Sequence, residues 1–150
     1  MGKEWFHNLR EGGIPRELAK GIRARIFPGT NLMLSVVELD PWSESPVHSH
    51  ANEQWGVCLE GEWIRIQDGQ EYHVRAGDFW ETPPDVPHGG RTLGQRCMIL
   101  DIFAPPREEY RRPGTGLPAH PACTSSADAL SVETTPADAV PSALVDPPCH

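Results

Sequence analysis

Apolar positions in this chain come in short runs, each closed by glycine or proline. Residues 21–27 alternate Ile22, Ala24 and Ile26 with Arg23 and Arg25, the period-two pattern of a half-buried strand. Pro28-Gly29-Thr30-Asn31 turns the chain, and 32–39 is a second, almost wholly apolar strand carrying Glu38. The run Trp55-Gly56-Val57-Cys58-Leu59 stops at Glu60-Gly61. Residues 62–67 and 70–75 flank Asp68-Gly69, a strong hairpin signal. Residues 76–87 read as turn, short strand and proline-rich turn, and 89–96 as a loop with at most one short extended piece. Residues 97–103 form the last clear strand, ended by Pro105-Pro106. Near the start, 15–20 reads as one helical turn, and 1–13 as an arm holding Trp5, Phe6 and Leu9 before Gly12-Gly13. Many short strands with no long segment of 3.6-residue period predict an all-β domain.

At residue 113 the composition shifts. Ala, Pro, Ser, Thr and Asp dominate from there on, and aromatic residues vanish. Such a segment buries too little apolar area to offset its ordering entropy, so 113–150 is expected to be a disordered tail beside a single barrel domain at 14–112. The 150 residues carry a formal charge of −8, which argues against a nucleic-acid partner. No apolar stretch approaches the ~20 residues of a membrane helix, and the first residues lack an apolar signal region. A cytoplasmic protein without a membrane partner is therefore expected. Cys58, Cys97, Cys123 and Cys149 form no C-x-x-C and are expected as free thiols.

The chemistry concentrates in Pro46-Val47-His48-Ser49-His50-Ala51-Asn52-Glu53-Gln54. Side chains alternate along a strand, so His48, His50 and Gln54 share one face and Glu53 points to the other. Two imidazoles and an amide oxygen suit zinc, nickel, iron or copper. A His-x-His pair alone does not separate a ligand set from a polar turn entering a strand. Downstream, Gly77 opens a short strand that ends at Pro83-Pro84, and His88 follows at a rigid corner, well placed as a further ligand.

Together these two stretches resemble the paired motifs of the cupins. His48, His50, the position of Gln54 and Gly61 match the first; Gly77, Pro83 and His88 match the second, after an interval of 15 residues typical of small cupins. Four positions depart from the pattern. Trp42 and Asp85 stand where glycines are usual, Gln54 replaces a glutamate and Thr92 an asparagine. The resemblance implies a jelly-roll β-barrel holding one divalent ion per chain (Zn, Ni, Fe, Mn or Cu) on His48, His50, Gln54 and His88.

A last stretch, Asp101-Ile102-Phe103-Ala104-Pro105-Pro106-Arg107, admits two readings. Apolar patterning alone turns Leu100 and Ile102 inward and leaves Asp101 on the surface. The resemblance reverses this: small cupins of pectin and alginate breakdown pair such a metal site with D-x-F-x3-R. There the residues bind a 4,5-unsaturated uronate and convert it to a linear keto acid. Carried over, Asp101 shuttles a proton, Phe103 walls the pocket and Arg107 pairs with the carboxylate of a small anionic substrate. An inward Asp101 turns Met98, Leu100 and Ile102 outward, which calls for cover by a second copy, hence a homodimer. A mononuclear Fe or Cu dioxygenase on the same histidines, and a non-catalytic ligand-binding cupin, remain open at this level.

Overall fold

A computed structural model describes residues 5–117. Eleven strands run in chain order: β1 (Ile14–Ala19), β2 (Ile22–Pro28), β3 (Met33–Leu39), β4 (Glu44–His48), β5 (Glu53–Glu60), β6 (Glu62–Gln67), β7 (Gln70–Arg75), β8 (Phe79–Thr82), β9 (His88–Thr92), β10 (Cys97–Ala104) and β11 (Gly114–Thr115). One 3-10 turn, Glu108–Arg111, precedes β11. A seven-stranded sheet in the order β11-β1-β2-β3-β10-β5-β8 faces a four-stranded sheet in the order β4-β9-β6-β7. This is the expected all-β jelly roll. Between the sheets lie Ile22, Ile26, Met33, Val37, Leu39, Cys58, Trp63, Ile99 and Phe103, all buried.

Two local expectations are corrected. Residues 15–19 lie in strand β1 rather than in a helical turn. Its backbone pairs with β2 on one side and β11 on the other, and that ladder outweighs weak local helix propensity. Arg16 clasps β11 to β1. Its buried guanidinium donates to the carbonyls of Glu109, Thr115 and Gly116 and stacks 4.7 Å from the Tyr110 ring. The barrel therefore continues past residue 112 to Leu117. The rest of the segment expected as a tail, 118–150, lies outside the described residues.

The second correction concerns 88–92, expected mostly as loop. It is strand β9, paired with both β4 and β6. Its glycines serve close packing instead of turning: a Cβ on Gly90 would collide with the Trp63 ring and the Ile64 carbonyl.

Both positions that depart from the motif glycines adopt left-handed backbone, with φ 58° at Trp42 and 64° at Asp85. That conformation is where glycine is at ease and other residues are strained. Thr92 does its own stitching. Its hydroxyl accepts from the Ser43 amide at 2.8 Å and donates to the Asp40 carbonyl at 2.6 Å, closing the loop that leads into β4.

Candidate metal centre

Antiparallel pairing of β4 and β9 sets His48 directly opposite His88. His50 follows β4 by two residues, and the Asp85 amide donates to its carbonyl at 2.8 Å, which ties the second motif to the first. Gln54 on β5 is buried beside them. Glu53 points the other way, and its carboxylate accepts from the Trp55 indole at 2.8 Å. The parity expected from sequence therefore holds.

Ring nitrogens of His48, His50 and His88 lie within 4.8 Å of one another. Each Nδ1 is bonded to a backbone carbonyl: His48 to Pro46 at 2.8 Å, His50 to Asn52 at 3.0 Å and His88 to Val86 at 2.8 Å. A carbonyl only accepts, so each Nδ1 carries the proton and each Nε2 keeps a bare lone pair. Second-sphere bonds of this kind orient metal-binding imidazoles. Gln54 is oriented as well. Its Nε2 donates to Asp101 Oδ1 at 2.8 Å, which leaves Oε1 3.1 Å from His50 Nε2. Two acceptors thus face each other with no proton between them. His88 Nε2 is buried with no hydrogen-bond partner among the described residues. Three imidazole lone pairs and one amide oxygen converge without a donor, and this donor set fits a divalent cation.

Burial, reinforced by nearby guanidinium groups, keeps these rings neutral. It pulls His88 down to about 3 with help from Arg65, and His50 to about 4 with help from Arg107. His48 is lowered for the same first reason.

The barrel interior beside the histidines forms a narrow cavity of about 50 Å³. Asp101, Phe103 and Arg107 all line it, so the apolar-pattern reading that put Asp101 outside is overturned. Asp101 faces Ser35 of β3 and Gly56 of β5 in the ladder. Burial raises its carboxyl to about 6, against the opposing pull of Arg65 and the Gln54 amide. Phe103 packs edge-on against His50 with ring centroids 5.5 Å apart. Arg107 lies 5.4 Å from the Phe103 centroid; its Nε and Nη2 reach Glu109 at 2.8 Å and its Nη1 reaches the Tyr110 hydroxyl at 3.1 Å.

Several cavity residues are not singled out by the sequence, a cation among them. Arg65 of β6 is buried and shares the inward face with Trp63. Its signal was its two-residue spacing from Trp63, masked by the more apolar Ile64 and Ile66. His73, by contrast, is half-exposed and bonded to Glu62 at 2.6 Å, away from the cluster.

Comparisons with known proteins agree with this architecture. Residues 35–103 match the family model described as the cupin domain. An RmlC-like cupin from Shewanella frigidimarina superposes with a TM-score of 0.65 at 27% identity, over 72% of this chain and 96% of that one. The polyketide cyclase RemF from Streptomyces resistomycificus gives 0.60 at 28% identity, over 72% and 82%. KdgF from a Halomonas species gives 0.64 over 72% and 98%; at 23% identity it speaks for the fold alone.

Proposed function

Because residues 35–103 match the cupin domain, we propose that this chain is a metal-dependent enzyme that opens or isomerises the ring of a small anionic, sugar-acid-like substrate. One observation carries this reading: a neutral, donor-free ligand set stands next to a buried carboxyl that it is hydrogen-bonded to. His48, His50, His88 and Gln54 would hold one divalent ion of the zinc, nickel, iron, manganese or copper group. With no charged protein ligand the ion keeps its full charge, and it supplies Lewis-acid polarisation of a substrate oxygen.

The remaining chemistry belongs to the chain. Asp101, held near 6, is suited to take up and return a proton around neutral pH. Gln54 keeps that carboxylate in place through its amide. Phe103 offers an apolar wall to a ring, and Arg107 adds positive potential for a carboxylate. The D-x-F-x3-R resemblance makes a 4,5-unsaturated uronate the first substrate to try. Likeness to a protein named a polyketide cyclase supports ring chemistry over oxidation.

We also propose that the barrel works as a homodimer. Two apolar rows cross the outer face of the larger sheet, Val36-Leu100-Val57-Phe79 and Leu34-Ile102-Trp55. Phe79 stays 71% exposed there and Trp55 40%. A patch of this kind marks an interface.

The test is turnover of an unsaturated uronate, followed by loss of its double-bond absorbance, before and after chelation. Activity that disappears with the metal and returns on reloading bears the proposal out. Oxygen uptake coupled to product formation would instead establish a dioxygenase. Full activity in chelated protein refutes the metal requirement.

A further inference from the structure

The two buried arginines of the cavity are not equivalent. Arg107 is closed by a carboxylate, Glu109, and a hydroxyl, Tyr110. Arg65 is 3% exposed and forms no ion pair among the described residues. Its partners are neutral: Gln67 Oε1 accepts from Nε at 3.2 Å and from Nη2 at 3.0 Å, and Thr82 Oγ1 accepts from Nη2 at 2.7 Å. Nη1, with two N–H groups, has no acceptor among the described residues. Leaving a guanidinium buried without a counter-charge is costly. Asp101, the one acidic side chain among the described residues that lines the cavity, is engaged by Gln54.

Two more donors line the same cavity unanswered. The Ser35 hydroxyl and the Trp63 indole N–H are both buried without a partner among the described residues. The guanidinium is also rigidly placed, 5.7 Å from the Trp63 ring and 5.1 Å from the Trp80 ring. A rigidly placed guanidinium with one unpaired edge, in a cavity that also holds two unpaired donors, is suited to receive an anion.

We propose that Arg65, through Nη1, holds the carboxylate of the ligand inside the barrel, with the Ser35 hydroxyl and the Trp63 N–H completing the subsite. This rests on the reading of the ligand as a small anion and identifies the group that recognises its charge. Burial, which lowers Arg65 to about 10, leaves it charged at neutral pH.

A cavity of about 50 Å³ takes only a small probe, so acetate is the anion and acetamide its neutral match. Binding is followed by calorimetry and tryptophan fluorescence on the protein as purified and after chelation, with metal content recorded for every sample. Acetate is expected to bind at least about tenfold more tightly than acetamide, and to keep binding after chelation. Arg65→Lys, which keeps charge and stem but loses the fork, should weaken acetate about tenfold. Trp63→Phe, which keeps a ring and loses the N–H, should weaken it a few-fold. Metal content should hold throughout. Acetate binding unchanged in both Arg65→Lys and Trp63→Phe overturns the assignment. So does binding that vanishes on chelation, since the ion and not Arg65 would then hold the carboxylate. A wild type that never takes up metal would sink the enzyme reading alone, because the acetate series on that protein still judges Arg65.

Discussion

The Gln54 amide donates to Asp101 Oδ1 across 2.8 Å, and this bond decides which end of the amide meets His50. With the amide reversed, its NH₂ would face the imidazole lone pair and its oxygen would face the carboxylate. Asp101 is thus both the candidate proton carrier and the group that turns the Gln54 oxygen towards the histidines. Asp101→Asn is expected to lower turnover by about 100-fold or more while metal content changes little. Elemental analysis alongside kinetics checks it. Gln54→Ala should weaken metal binding less than His88→Ala, because an amide oxygen is the poorer ligand for a borderline metal.

Stability should fall in mild acid. His50 and His88 have folded values of about 4 and about 3, below the ordinary 6.5, so the unfolded chain binds protons first as pH drops. Their contribution is complete above 6.5 and is lost below it, towards 4 and 3. Asp101 opposes this: its folded value of about 6 lies above the ordinary 3.8, so protonation below 6 favours the fold. Two histidines outweigh one carboxyl. The metal-free protein should lose roughly 2 kcal/mol between pH 7 and pH 5, measured by urea unfolding. Stability that rises over that interval would show that Asp101 dominates.

Both misleading strands fail in the sequence for one physical reason. In β10 and β6 a charged residue faces the cavity while its apolar neighbours face out: Asp101 between Leu100 and Ile102, Arg65 between Ile64 and Ile66. Period-two reading assumes that the apolar set is the buried set. It breaks where a polar cavity occupies the barrel and the outer face is apolar too. Motif spacing pointed to an inward Asp101, and Asp101 does line the cavity. Arg65 lies outside that pattern and was passed over. The three-histidine cluster was legible because His48 and His50 share parity, and a corner delivers His88. Strand β9 was hidden by glycines that serve packing against Trp63.

Trp42 stores strain at the surface. It is 77% exposed with φ 58°, so its ring gains little from burial while its backbone sits where glycine belongs. Trp42→Gly is expected to stabilise the fold by roughly 1 kcal/mol. Chemical denaturation at constant metal content tests it, and a loss of stability would mean the ring's contact near Gly94 outweighs the backbone term.

The outer sheet face gives a test of assembly. Leu100 is half-buried at the centre of the apolar rows, opposite Val36 and Val57. Wild type should sediment as a dimer, and Leu100→Asp should give a monomer that still binds metal. A wild type that is monomeric at high concentration rules the interface out.

The clasp formed by Arg16 couples the end of the barrel to its interior. Gly116 is held by that guanidinium and by Glu17, whose carbonyl accepts from the Gly116 amide at 2.7 Å. Leu117, the very next residue, is part of the cavity wall. Loosening the clasp would free Leu117 from the wall and widen a space of about 50 Å³ beside the histidines.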